Sequence, residues 1–130
     1  WDGMASNMLA ESAEERCHAL QLIEFANKRN LPVKLQGLEV PNTEWDSPQE
    51  VWRDVLKVEQ GCTANLLRVA EAANDCQDYA MLAFLNSFHV VQINSEDSIG
   101  KIIAKVTDES KTPGILRRLD HELGLVASRI

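Results

Sequence analysis

The sequence predicts an all-α protein, a bundle of long helices with one long crossover, on three observations. Three stretches carry their inward-type side chains at alternating steps of 3 and 4 residues, the spacing of one face of an α-helix. All 4 prolines (Pro32, Pro41, Pro48, Pro113) fall between the periodic segments or at their starts, where a helix tolerates them. One connection is long and the next is short, which fixes how neighbouring helices can run. Glycine says less, because Gly3, Gly61 and Gly100 lie inside the helical stretches.

The first helix is expected from near Trp1 to about Lys28, with Met4, Met8, Glu11, Glu15, His18, Leu22 and Phe25 along one face. Asn30-Leu31-Pro32 ends it, since Pro32 cannot continue a helix and biases its predecessor to extended geometry. A loop follows to about Asp46, containing Gly37, Pro41 and Asn42 and no helical periodicity. Ser47 is placed to cap the second helix, Pro48 to occupy its first turn and Glu50 to complete a capping box. This helix should end near Asn74-Asp75, and its face reads Trp52, Val55, Glu59, Cys62, Leu66, Val69, Ala73. The third is expected from around Asp78 to about Thr107, with Leu85, His89, Gln92, Glu96, Ile99, Ile103 and Val106 aligned. Thr112-Pro113 should open a short last helix that Gly124 closes.

A connection of about 17 residues spans roughly 55 Å when extended, and a helix of about 28 residues is about 42 Å long. The loop can therefore run the length of the bundle and set the first two helices parallel. The few residues between the second and third require an antiparallel pair. Three long faces do not close a four-helix core. A further helix is therefore expected, preceding Trp1 in the chain rather than supplied by another chain, so that residues 1–130 form one partial domain.

The chain has a net charge of -7 and a pI near 4.9, which argues against nucleic acid or an anionic membrane as its partner and suits a protein that attracts cations. No apolar run approaches the ~18 residues that span a bilayer, and the start has no signal-peptide pattern. The 3 cysteines give no disulfide framework and no zinc spacing, so reduced thiols in a reducing compartment are expected.

The chemistry lies where the apolar faces turn charged. At about 100° per residue, Glu11, Glu15 and His18 fall within roughly 60° of one another in mid-face. Glu59 interrupts the second face, and His89, Gln92 and Glu96 the third. Burying such ions costs several kcal/mol each unless something compensates them. Facing one another, the three helices could bring their acids to one depth, where a bound metal would offset the charge. Glu15-Arg16-Cys17-His18 places Glu and His at i and i+3, able to ligate one ion from a single helix. Carboxylate oxygens with one imidazole suit iron or manganese better than a thiolate-rich zinc site does. The alternative for Glu15, His18 and Glu59 is a buried polar network. Glu11 and Glu96 could instead be solvated, Glu14 is expected off the face, His89 in the core and His121 at the surface. Met4 and Met8 are expected as packing, and Arg117-Arg118 as a solvated face or subunit contact.

These residues resemble the ferritins. Ala10 through Ala19 is similar to the metal motif of that family's second helix. Glu44-Trp45-Asp46-Ser47-Pro48 resembles the lead into its third helix, and Glu59-Gln60 the metal position on it. Asp78-Tyr79-Ala80 with Phe84-Leu85-Asn86 resembles the start of the fourth helix, and Thr112 through Asp120 the approach to the short fifth. The likeness covers most of the chain and leans to the bacterial-like ferritins also found in diatoms.

The resemblance implies a ferritin-like four-helix bundle whose first helix lies outside these residues, and a ferroxidase. Its subunits would oxidise Fe(II) with O2 at a di-iron carboxylate site and deposit Fe(III) as mineral in a cage of 24 subunits. By it, Glu15 would bridge two irons, His18 would complete the first and Glu59 the second, with Gln92 beside the second. Glu11 would serve a third, inner site, with Glu96 as its partner. It further implies a cytoplasmic protein, or a plastid one in an alga. Departures are visible: Val91, Asn94 and Ser95 stand where members often carry Glu, and Cys17 replaces a common Glu. The rival readings are a non-catalytic cage or interaction subunit and a di-iron oxidase that forms no cage.

Overall fold

The computed structural model describes residues 1–109 and 114–128, and these hold four helices: α1 (Asp2–Lys28), α2 (Pro48–Asp75), α3 (Tyr79–Glu109) and α4 (Ile115–Ala127). The chain divides into two compact units, one of Trp1–Asn42 with Thr112–Ile130 and one of Thr43–Lys111. The first holds α1 packed on α4 and the second α2 packed on α3.

The start of α2 follows from its sequence. Ser47 has extended backbone, and its hydroxyl accepts the Glu50 N–H at 3.3 Å. Glu50 reaches back to the N–H of Asp46 at 2.9 Å, one residue before the expected capping-box partner. Two otherwise orphaned donors are thereby satisfied. The Trp45 indole N–H donates to Asp54 at 2.9 Å and ties the end of the loop to the new helix.

Only residues 76–78 join α2 to α3. Gln77 takes a left-handed φ of 57°, and the Asp78 carboxylate caps α3 by accepting the Met81 N–H at 3.0 Å. The pair is antiparallel, as the short link requires: Gln49, near the start of α2, donates to Thr107, near the end of α3, at 2.5 Å. The two faces read from sequence meet between them. Trp52 and Ala73 are buried on α2, and Leu85, Phe88, Gln92, Ile99 and Val106 on α3. Of the expected face of α2, only Val69 is exposed. His89 is half-buried.

In the other unit α1 and α4 touch backbone to backbone. A Cβ on Gly3 would fall 1.6 Å from the Asp120 carbonyl oxygen, and one on Gly124 would lie 3.1 Å from the Gly3 Cα. The Asp120 carboxylate accepts the Met4 N–H at 2.8 Å, capping α1 from a distant part of the chain. Met4, Asn7, Leu119 and Leu123 are buried around this contact. Gly124 therefore does not close α4, as its position after a periodic stretch suggested. The helix continues to Ala127, and the glycine is the point where a side chain would part the two helices. The expected opening at Thr112-Pro113 lies outside the described residues; α4 is preceded by Gly114 with φ 105°.

Candidate metal centre

Glu15 and His18 sit one turn apart in mid-α1, and His18 Nδ1 lies 3.2 Å from Glu15 Oε1. The i, i+3 spacing brings the carboxylate and imidazole to one point of the helix surface, as the sequence required. Their surroundings differ from the expectation. The Glu15 side chain is 55% exposed and His18 23%, while Glu11 and Leu22 are exposed too. Met4 is buried and Met8 and Phe25 are half-buried, so full burial along the stripe is reached only at its beginning. The reason is length: α4 has 13 residues, about 20 Å, against roughly 40 Å for α1. Beside the pair runs a shallow open groove lined by Ala13, Glu14, Cys17, His18 and Gln21. Glu14, expected off the face, is half-buried there.

The other predicted residues belong to the α2–α3 unit, and here the charged interruption is built into a covered interface. Gln92 is 8% exposed, and its amide donates to the Glu59 backbone carbonyl at 2.9 Å and to Glu59 Oε2 at 2.5 Å. Both bonds come from one buried amide, so the polar group in this apolar face is compensated, and the Glu59 carboxylate is held in one orientation. Glu59 itself is half-buried.

Farther along α3, Glu96 is half-buried and accepts a hydrogen bond from the Thr63 hydroxyl on α2. Ser95 is half-buried as well, whereas Val91 and Asn94 are exposed. The cross-helix contact goes to Glu96, the inward group that the face spacing selects over Ser95. Thr63 was missed by sequence reasoning. It follows Glu59 by four residues and Cys62 by one, so it satisfies the helical step equally well, and the apolar look of Cys62 concealed it.

The donors suit a hard, multiply charged cation: carboxylate oxygens and one imidazole. Among the described residues no three His, Cys, Asp or Glu side chains gather into a group that could hold a metal ion. Two pairs are formed instead, Glu15 with His18 in one unit and Glu59 with Gln92 in the other. All three cysteines are free; Cys17 and Cys76 are exposed and Cys62 half-buried. Among the described residues no helix is long and apolar enough to cross a membrane.

Comparison with known proteins identifies the fold. The model of the ferritin-like domain matches residues 1–108. The chain belongs to the ferritin family. An apo-ferritin crystal structure from Pseudo-nitzschia multiseries superposes with a TM-score of 0.88 at 57% identity, over 92% of this chain and 77% of that one. A variant of a diatom ferritin, crystallised and soaked in iron overnight, gives a TM-score of 0.89 at 57% identity, over 92% and 78%. A bacterial non-heme ferritin of Staphylococcus aureus is 27% identical over 124 residues, 95% of this chain and 75% of the relative. The all-helical fold is thus that of the ferritins, a family of iron-storage proteins.

Proposed function

We propose that this ferritin chain oxidises Fe(II) with O2 at a di-iron site and passes Fe(III) to a mineral inside a cage of 24 subunits. The observation that supports the reading is the match of residues 1–108 to the ferritin-like domain, together with two pairs of ligand-type side chains, Glu15 with His18 in one unit and Glu59 with Gln92 in the other. Glu15 would bridge the two irons, His18 would ligate the first and Glu59 the second. Gln92 acts on iron through Glu59, whose carboxylate it holds. Glu11 and Glu96 would serve the third, inner position. The open stripe of α1 supports the companion proposal that a further helix covers Glu15 and His18 and adds ligands.

The chemistry follows from the donors. Anionic oxygens stabilise Fe(III) more than Fe(II), which lowers the iron potential, so that electrons pass more readily from Fe(II) to O2. The compartment that fits is the cytoplasm, or a plastid in an alga. That the iron-soaked relative is a ferritin of the same fold supports iron as the substrate.

The test is stopped-flow Fe(II) oxidation in the assembled protein, read over the first two irons per subunit. A fast phase that Glu15→Ala or His18→Ala slows by at least tenfold supports the ferroxidase. A protein that stores iron with no fast phase overturns it, in favour of a non-catalytic subunit. That second reading has its own observation, the Val91, Asn94 and Ser95 positions, which offer no carboxylate. Size-exclusion mass separates either from a di-iron oxidase that forms no cage.

A further inference from the structure

The two cross-helix bonds of the α2–α3 unit belong to one device. Gln92 binds Glu59 and Thr63 binds Glu96, each pair 33 residues apart. In an antiparallel pair, however, a step of four residues moves about 6 Å up one helix and about 6 Å down the other. The bonds must therefore cross. Glu59 stands about level with Glu96, and Thr63 about level with Gln92, and each carboxylate is bound by a donor from the level of the other. The Gln49–Thr107 bond gives the same alignment independently. Two acids thus share one level on neighbouring helices, each held from one turn away.

We infer that Thr63 is a positioning residue for iron transfer: its hydroxyl holds the Glu96 carboxylate level with Glu59, where Glu96 receives the ion that leaves the Glu59 side. The inference rests on the ferroxidase reading and deepens it. The role matters more in this chain because positions 91, 94 and 95 are Val, Asn and Ser, so Glu96 is the acid that α3 has available next to Gln92. An unheld glutamate side chain samples several rotamers, and fixing it costs side-chain entropy. One hydroxyl supplied by the facing helix meets part of that cost before the ion arrives.

The experiment is an anaerobic Mn(II) titration of the assembled protein followed by electron paramagnetic resonance, which counts bound ions without turnover. Glu96→Gln should remove one class of site. Thr63→Val, close in shape, should weaken that class by about fivefold to tenfold and leave the others unchanged, and Thr63→Ser should restore it. Sustained Fe(II) oxidation after the first two irons should slow in Thr63→Val in the same order, with the initial phase intact. An unchanged Glu96-dependent class in Thr63→Val, or equal weakening in Thr63→Ser, overturns the role of Thr63. The parent reading is scored separately in the same titration, because Glu15→Ala removing no site would overturn that reading.

Discussion

The α2–α3 hairpin and the α1–α4 pair handle the same problem, a charged group in the middle of an apolar helix face, in opposite ways. In the hairpin the face is covered at every position but Val69, from Trp52 and Val106 at one end to Ala73 and Leu85 at the other. Its polar residues are met by protein partners, Gln92 with Glu59 and Thr63 with Glu96. On α1 only Met4 of the face is fully buried; Met8, His18 and Phe25 are half-buried, and Glu11, Glu15 and Leu22 are exposed. The difference teaches that an inward-type spacing records what a helix is built to pack against, not what packs against it within a given stretch of chain.

That contrast can be broken by truncating each face. Trp52→Ala should cost about 3–5 kcal/mol in chemical denaturation, because Trp52 is 2% exposed. The same experiment on Leu22, which is 39% exposed, should cost under about 1 kcal/mol in this chain. A large loss at Leu22 would mean that the α1 face is already covered. Gly3→Ala comes next: with 1.6 Å between the new Cβ and the Asp120 carbonyl, the helices must part, for about 1–3 kcal/mol. Amide hydrogen exchange should then speed up in α1 and α4 and stay unchanged in the hairpin; a uniform increase would contradict the division into units.

Gln92→Leu keeps the bulk and removes both donors to Glu59, one of them to a charged oxygen, and should cost about 1–3 kcal/mol. A neutral result would show that water replaces the amide, and that the interface is wetter than its burial indicates. The smallest effect is expected at Glu24. Its hydrogen bond from Lys28, with the charge of that ammonium, holds the Glu24 carboxyl below the usual carboxylate range. A depressed pKa contributes stability at neutral pH that is lost as acid protonates the group. Glu24 is exposed, so Glu24→Gln should leave the denaturation midpoint unchanged at neutral and acid pH alike. A resolvable shift would mean that this end of α1 is less solvated than its exposure implies.

Much of this was legible in the sequence, for reasons that particular residues show. Ser47, Pro48 and Glu50 set the start of α2 because capping is local chemistry within one turn. The faces of α2 and α3 were readable because their partner is the next helix in the chain. Gly124 was misread because glycine after a periodic stretch marks either a helix end or a close crossing, and only Gly3 on α1 decides between them. The depth of Glu15 and His18 was not readable from periodicity, which gives direction but not cover. Thr63 was hidden because a small polar residue beside Cys62 gives no signal until the length of the Glu96 side chain is set across from it.

The crossed pair of hydrogen bonds has a mechanical consequence. Two diagonals of opposite slant act as cross-bracing: sliding either helix by one residue, about 1.5 Å, stretches one bond as it slackens the other. The contacts of apolar neighbours such as Phe88 and Ile99 are not directional in this way. The polar patch therefore sets where along its length the hairpin is locked, and a slipped hairpin would lose its acids' common level before it lost its core.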